Sequence, residues 1–289
     1  MNDHLLSVVL GIIEGLTEFL PVSSTAHLRI VEALFHLDLH SSFWKMYTIV
    51  IQLGAILALP VYFRQQIVKF VSTFPAGERG EGTVLTHPLS LTLIAFVITA
   101  LPAWALKKEI SQNLENLWMI AWALLLGGVI MWIVDAFFNR AAVTQMEEMT
   151  LPQAAWIGAV QILSAIFPGT SRSMCTIAAG QVAGLSRSAA LEFSFFLSMP
   201  TMLAATGYDF FKAVSPHRAT AADTDLAPLT MNIHEWIVLA IGLVVSFFVA
   251  LVVVAWFMRW VRARGFAPFA IYRIVLGILL LVMIARGLL

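Results

Sequence analysis

Two carboxylates and a histidine stand inside an otherwise apolar segment near the start of the chain. Glu14 and Glu18 are four residues apart, so on a helix their side chains lie on one face. Carboxylates this close can share a divalent cation or a proton, and His27 follows them after a proline and three hydroxyl side chains. Ionisable groups in such apolar surroundings are costly and usually functional. We therefore predict a charged functional site within this segment.

A second segment of similar outline lies in the other half of the chain. Pro168 follows Pro21 by 147 residues (168 − 21), and serine and threonine residues typical of a helix start come after each proline. The second copy adds Arg172. Helix N-termini, small hydroxyls and a guanidinium together favour phosphate. If the two copies meet, they fit a diphosphate with a bridging cation better than a monovalent ion. The expected diphosphate-binding residues are Ser23, Thr25, Thr170, Ser171, Arg172, Ser173 and Thr176.

Composition places the chain in a membrane. Of its 289 residues 60% are hydrophobic and only 12% charged, and the mean hydropathy is +0.88, whereas soluble domains carry about 25% charged residues. The net charge is zero, which gives no electrostatic reason to expect a nucleic-acid partner. The single cysteine, Cys175, cannot form a disulfide within the chain.

The apolar runs predict an all-α polytopic fold. Six runs are long enough to span a bilayer, and two more, residues 5–35 and 151–185, are broken near the middle by proline with serine, threonine or glycine. Such broken runs are typical of re-entrant helical hairpins. One hairpin and three spans in each half predict an inverted-topology repeat. The six spans are residues 44–63, 89–106, 117–138, 189–211, 237–259 and 268–285.

These elements are expected to form one integral membrane domain over residues 1–289, made of repeats at about 1–140 and 148–289. Arg259, Arg262 and Arg264 lie immediately beside two spans, where positive charge favours the cytoplasmic side. The first hairpin and both termini would then open outward.

Structural roles are the alternative for each candidate residue. A glutamate pair can lie on the surface of an amphipathic helix, and His27 can satisfy buried carbonyl groups. Arg172 can reach a membrane interface, and Ser24, Thr25, Ser171 and Ser173 can each act only as helix caps. The apolar neighbours of Glu14 and Glu18, and the Pro-Gly break beside Arg172, favour the functional interpretation.

The motifs resemble a known family, the undecaprenyl-diphosphate phosphatases, also called bacitracin-resistance proteins. The resemblance is carried by the run from Glu14 to His27, the run from Pro168 to Ser173, and shorter runs at 52–57, 192–195 and 268–273. Motifs of this length and order are far more specific than one short pattern. One departure is Thr48, where family members often carry an acid.

The resemblance implies a bacterial inner-membrane enzyme that hydrolyses undecaprenyl diphosphate to the monophosphate carrier lipid of cell-wall synthesis. It implies help from a divalent cation, Mg²⁺ or Ca²⁺, with Glu14 and Glu18 as the expected ligands. The arginine cluster, in turn, predicts an active site that opens to the periplasm. His27, Ser24 and Arg172 match the family's histidine, proposed nucleophile and phosphate-binding arginine. The partners implied are a polyprenyl diphosphate lipid and the bilayer, with a homodimer left open.

Two choices stay open at this point. The nucleophile is Ser24, His27 or an activated water, because Ser24 and His27 are three residues apart on one helical face and can act as a pair. The alternative function is a secondary transporter or lipid flippase, since inverted repeats with broken helices and central acids also describe transporters. Fold analogy cannot decide between enzyme and transporter.

Overall fold

The computed structural model describes residues 2–35, 42–77, 82–114, 116–138, 140–214 and 231–288. These residues form helices and connecting turns and no β-strand, which confirms the all-α prediction. The described α-helices are α1 (Asp3–Thr17), α2 (Ser24–Leu34), α3 (Ser42–Tyr62), α4 (Arg64–Thr73), α5 (Pro88–Ala105), α6 (Lys107–Asn113), α7 (Leu117–Phe137), α8 (Leu151–Ile166), α9 (Arg172–Val182), α10 (Arg187–Val214), α11 (Ile233–Arg264) and α12 (Ala267–Ala285).

Five of the predicted spans correspond to single helices that are long and apolar enough to cross a membrane. They are α5, α7, the Arg187–Tyr208 part of α10, α11 and α12. The remaining predicted span, residues 44–63, is α3. With α4 it forms a pair of helices bent by 65° at Phe63, which is either a broken span or a re-entrant loop, and no side chain caps the second helix. The described residues thus contain five helices able to span a membrane, or six with this broken pair.

Both runs predicted to be broken are interrupted where the sequence indicates. The first run is α1 followed by a turn and α2, and the second is α8 followed by a turn and α9. Each turn contains a proline, Pro21 or Pro168, whose ring and missing N–H disfavour a continuous helix. At 11 residues, α2 and α9 are shorter than the helix of about 20 residues that crosses a bilayer. Their membrane depth and the inverted orientation of the repeats stay predictions.

The chain divides into two compact units, each built from discontinuous segments. The first unit contains residues 1–19, 27–62 and 198–254, and the second contains residues 20–26, 63–197 and 255–289. Three of the five boundaries fall inside α2, α10 and α11, and the other two fall in the turn after α1 and between α3 and α4.

The first unit is held together by α1, α3 and the first part of α11. Tyr47 Oη donates to the carbonyl oxygen of Ser7 at 2.8 Å, and Ser7 Oγ donates to that of Val238 at 2.7 Å. Gly15 permits the close approach of α1 to α11, because a Cβ there would lie 2.8 Å from the carbonyl oxygen of Ser246. Buried hydroxyls with partners and glycines at the contact are typical of helix packing in membranes.

The second unit contains α7 packed along α12 and α5 packed along α8. At the second contact Gly158 lies so close to α5 that a Cβ would be 2.8 Å from Cα of Ala95. The hydroxyl of Thr99 donates to the carbonyl oxygen of Gly158 at 2.7 Å. This packing positions α8, and with it the turn that leads into α9.

Candidate functional site

Two serines with left-handed backbone conformations immediately precede the short helices α2 and α9. Ser23 has φ 72° and Ser171 has φ 71°, and among the described residues they are the only non-glycine residues with positive φ. Each serine caps the helix that it precedes, since Ser23 Oγ accepts from the N–H of Ala26 and Ser171 Oγ from that of Met174, both at 3.4 Å. Both serines belong to the second unit.

The two caps refine the repeat that the prolines indicate. Ser171 follows Ser23 by 148 residues (171 − 23), one more than the offset between the prolines. The second turn is longer by one residue and includes Gly169, whose φ of 91° favours glycine. Left-handed non-glycine residues cost about 1–3 kcal/mol each and cluster at functional sites. That both turns hold a serine in this conformation supports their shared role.

A hydrogen bond joins the two turns directly. Ser173, in the first turn of α9, donates from Oγ to the carbonyl oxygen of Leu20 at 3.0 Å. The hydroxyls of Ser171 and Ser173 are 3.0 Å apart. The second unit therefore brings the start of α9 against the turn that precedes α2, and with it the helix N-termini and hydroxyls expected to bind an anion.

Arg273 makes a second connection between the turns. Its side chain, on α12, is fully buried. Nη1 donates to the carbonyl oxygen of Pro21 at 3.2 Å, and Nη2 donates to those of Gly169 at 3.2 Å and Ala123 at 3.0 Å. One guanidinium thus holds the first turn, the second turn and α7.

The packing of α7 leaves room for this arginine. A Cβ on Gly127 would clash with Nη2 of Arg273, and a Cβ on Gly128 would lie 3.0 Å from Cβ of Arg273. Arg273 is not among the predicted site residues, although it lies in the run 268–273 that is part of the family resemblance. An arginine in the middle of the apolar run 267–285 was the signal that could have identified it.

The candidate nucleophile Ser24 and the other residues predicted to bind the diphosphate lie close to these turns in the chain. Ser24, Thr25 and Arg172 are in the first turns of α2 and α9, and Thr25 and Arg172 are partly exposed. Thr170 donates to the carbonyl oxygen of Phe167 at 2.6 Å. Their contact with a diphosphate stays a prediction.

Thr176 is fully buried one turn further along α9. Its hydroxyl lies 3.0 Å from the carbonyl oxygen of Arg172 and 2.6 Å from the hydroxyl of Ser194. This places Thr176 where it positions the start of α9 against α10. The predicted contact between Thr176 and the diphosphate is not tested by this geometry.

The predicted acidic pair lies in the first unit, on and just after α1. Glu14 is fully buried, Glu18 is 8% exposed, and the N–H of Glu18 donates to the carbonyl oxygen of Glu14 at 2.9 Å. Gly11 and Gly15 neighbour Glu14 on this closely packed helix. Their tight contacts with α11 explain why the carboxylate of Glu14 is so well shielded. His27, in α2, also belongs to the first unit and is partly exposed.

The donor set of the acidic pair suits a cation that is also bound by substrate. The described residues contain no cluster of three or more His, Cys, Asp or Glu side chains able to hold a metal. Mg²⁺ commonly takes one or two protein carboxylates, with substrate phosphates and water as its other ligands. The two carboxylates of Glu14 and Glu18, four residues apart, fit that pattern, and the cation stays a prediction.

An apolar groove of about 600 Å³ adjoins the second turn within the second unit. Phe167 and Thr170 line one part of it, and the side chains of α7, α8 and α9 line the rest. Among these are Trp122, Leu126 and Val160. The groove thus shares residues with the turn that precedes α9 and offers an apolar surface beside a polar site.

Comparison with known proteins identifies the family. The family model described as bacitracin resistance protein BacA matches residues 7–279. An undecaprenyl-diphosphatase of Koribacter versatilis is 59% identical over 282 residues, 97% of this chain and 98% of the relative. Undecaprenyl-diphosphatases of Caldanaerobacter subterraneus and Rhizobium etli are 39% and 38% identical, with at least 95% of each chain covered. The chain therefore belongs to the bacitracin resistance protein BacA family.

Proposed function

We propose that this protein hydrolyses undecaprenyl diphosphate to undecaprenyl phosphate and inorganic phosphate. Relatives that match nearly the whole chain are named for this activity. The observation that carries the proposal is the pair of turns joined by Ser173 and Leu20. They bring together two capped helix starts, several hydroxyls and the partly exposed Arg172 in a chain that otherwise suits a membrane. Helix N-termini and arginine are the groups that proteins use to bind phosphate.

In the proposed reaction a bond forms between the nucleophile and the terminal phosphorus. The bond from that phosphorus to the bridging oxygen breaks, and its electron pair leaves with the lipid monophosphate. Arg172 and the N–H groups at the starts of α2 and α9 bind the phosphate oxygens and stabilise the charge on them. Ser24, His27 and water remain the three candidate nucleophiles. Where Ser24 or His27 attacks, a water molecule then releases the phosphate.

The proposed cation is Mg²⁺ or Ca²⁺, with Glu14 and Glu18 as its protein ligands. When bound it supplies positive charge that offsets the charge of the leaving phosphate. Both side chains are well shielded within the first unit, and carboxylates in such surroundings favour a cation or a proton as partner. His27 transfers a proton during the reaction or itself attacks the phosphorus.

The apolar groove beside Phe167 and Thr170 supports a lipid substrate, because it offers a surface for a prenyl tail next to the proposed phosphate site. We place the protein in the bacterial inner membrane, as for an enzyme of this lipid carrier. The arginine cluster at the end of α11 favours the cytoplasmic side there and so a site open to the periplasm. The reaction would return the carrier lipid to cell-wall synthesis. It would also confer bacitracin resistance, as the family description states of its members.

The test is phosphate release by the purified protein in detergent, where no gradient exists for transport to use. We expect release from undecaprenyl diphosphate, and a fall of about 10²- to 10³-fold in kcat for Arg172→Ala, as for loss of a key electrostatic donor. Arg259→Ala removes an exposed arginine and serves as the matched control. Absence of phosphate release by a folded, cation-supplied protein would contradict the proposal, as would unchanged kcat in Arg172→Ala.

A further inference from the structure

We infer that Arg273 is a positioning residue of the anion site, holding the turns before α2 and α9 in the arrangement that receives the diphosphate. This inference rests on the proposed function for the identity of the anion. The side chain of Arg273 contacts both turns through their carbonyl oxygens. The hydrogen bonds from Arg273 to Pro21 and Gly169 are the contacts that carry it.

Carbonyl groups of both turns are oriented toward Arg273. A carbonyl oxygen carries partial negative charge and repels an anion, whereas a backbone N–H attracts one. Arg273 draws the carbonyl oxygens of Pro21 and Gly169 toward its guanidinium, at 3.2 Å each. These oxygens precede the cap serines by two residues, so each helix start is held with a nearby carbonyl oriented toward the arginine.

Arg273 carries a buried positive charge. Among the described residues its hydrogen-bond partners are three neutral carbonyl oxygens, and no carboxylate pairs with it. A buried cation without a counter-charge is unfavourable, although hydrogen bonds offset part of the cost. A phosphate bound at the two helix starts would supply the missing negative charge. A guanidinium is the suitable group because its rigid planar fork can donate to several acceptors at once.

Glycines of α7 leave space for the guanidinium of Arg273. Gly127 is close enough that any side chain there would displace Nη2, the atom that donates to both Gly169 and Ala123. Changing Gly127 therefore disturbs the guanidinium while its charge is kept. This offers a test of geometry that is separate from removal of the arginine.

The experiment compares Arg273→Met, Arg273→Lys and Gly127→Ala with the parent, using the full-length protein in detergent. Arg286→Met, at the exposed end of α12, is the matched control. Inorganic pyrophosphate binding is measured directly, kcat and KM are measured on undecaprenyl diphosphate, and the thermal unfolding midpoint reports folding. Because pyrophosphate binding needs no hydrolysis, it tests Arg273 even where the proposed activity fails.

We expect the folded Arg273→Met and Gly127→Ala variants to bind pyrophosphate at least about tenfold more weakly, since each loses hydrogen bonds made by a charged group. Arg273→Lys should recover part of the affinity, because an ammonium keeps the charge but not the planar fork. Should Arg273→Met fail to fold, Gly127→Ala and Arg273→Lys decide. Parent-like pyrophosphate affinity in the folded variants would overturn the inference, as would an affinity loss explained entirely by a smaller folded fraction.

Discussion

The hydroxyl of Ser173 donates to the carbonyl oxygen of Leu20 at 3.0 Å, and so ties the first turn of α9 to the turn before α2. Ser173 is 1% exposed, which shields this hydrogen bond from water. The two turns come from distant parts of the sequence, and this bond fixes one against the other. A change at Ser173 should therefore affect both.

Ser173→Ala should lower both stability and activity. The variant leaves the carbonyl oxygen of Leu20 without this donor, and a buried polar group that loses its partner costs about 1–3 kcal/mol. We expect a lower unfolding midpoint and a fall in kcat/KM of about tenfold, which corresponds to about 1.4 kcal/mol. Ser72→Ala is the control, because Ser72 is exposed and donates only within its own helix. Equal effects of the two substitutions would contradict the role given to Ser173.

Glycine and alanine substitutions should differ at Ser23 and Ser171. Alanine removes the capping oxygen and keeps the strain of positive φ, whereas glycine removes the oxygen and relieves the strain. We expect each alanine variant to be less stable than the glycine variant by about 1–2 kcal/mol, the cost of a left-handed conformation for an ordinary residue.

Thr150 provides the comparison for the cap serines. It caps α8 with an extended φ of −98°, so glycine relieves no strain there. The difference between alanine and glycine in unfolding midpoint should be smaller at Thr150 than at Ser23 and Ser171. A larger or equal difference at Thr150 would show that positive φ does not determine the result.

Prolines and hydroxyl residues were sufficient to predict where both broken runs are interrupted, because proline breaks a helix and serine begins the next one through local interactions. The spans were located from long apolar runs, which have few alternatives in a membrane, and five of the six predicted spans are single helices able to cross one. The predicted span 44–63 corresponds to α3, which ends at Tyr62. The apolar pattern did not indicate that α4 follows it directly at a bend of 65°.

The role of Arg273 could not be predicted from local patterns. Its acceptors are the carbonyl oxygens of Pro21, Ala123 and Gly169. Every residue type has the same backbone carbonyl group, so the sequence gives no sign of these partners. The sequence could have indicated that a buried arginine in α12 is functional, but its partners depend on tertiary packing. The left-handed conformation of Ser23 and Ser171 was likewise invisible, since serine rarely adopts it.

Glu14→Gln and Glu18→Gln should change the cation dependence of phosphate release. If these carboxylates bind the cation, each variant should need at least about tenfold more Mg²⁺ or Ca²⁺ for half-maximal activity, since even residues that only orient metal ligands affect affinity that much. A chelator should abolish activity of the parent, and added cation should restore it. Glu109→Gln, an exposed change in α6, is the control. A cation titration that matches the parent in both variants would refute a carboxylate-bound metal.

Val160→Phe should discriminate between substrates by the length of their tails. Val160 lines the apolar groove that adjoins Phe167 and Thr170, and a larger side chain there would narrow it. We expect KM for undecaprenyl diphosphate to rise by about tenfold, the lower end of the selectivity that a change in an apolar pocket gives. KM for a short prenyl diphosphate should change much less, because a shorter tail fills less of the groove.

Val252→Phe is the matched control for the groove, because Val252 is 69% exposed on α11 and receives the same substitution. The comparison is needed because a prenyl tail gains little by leaving lipid for an apolar protein surface, so the groove contributes mainly through shape and van der Waals contact. A groove that only holds bilayer lipid would give equal KM changes for long and short substrates. That result would remove the groove from the account of substrate binding while leaving the two turns and Arg172 as the proposed phosphate site.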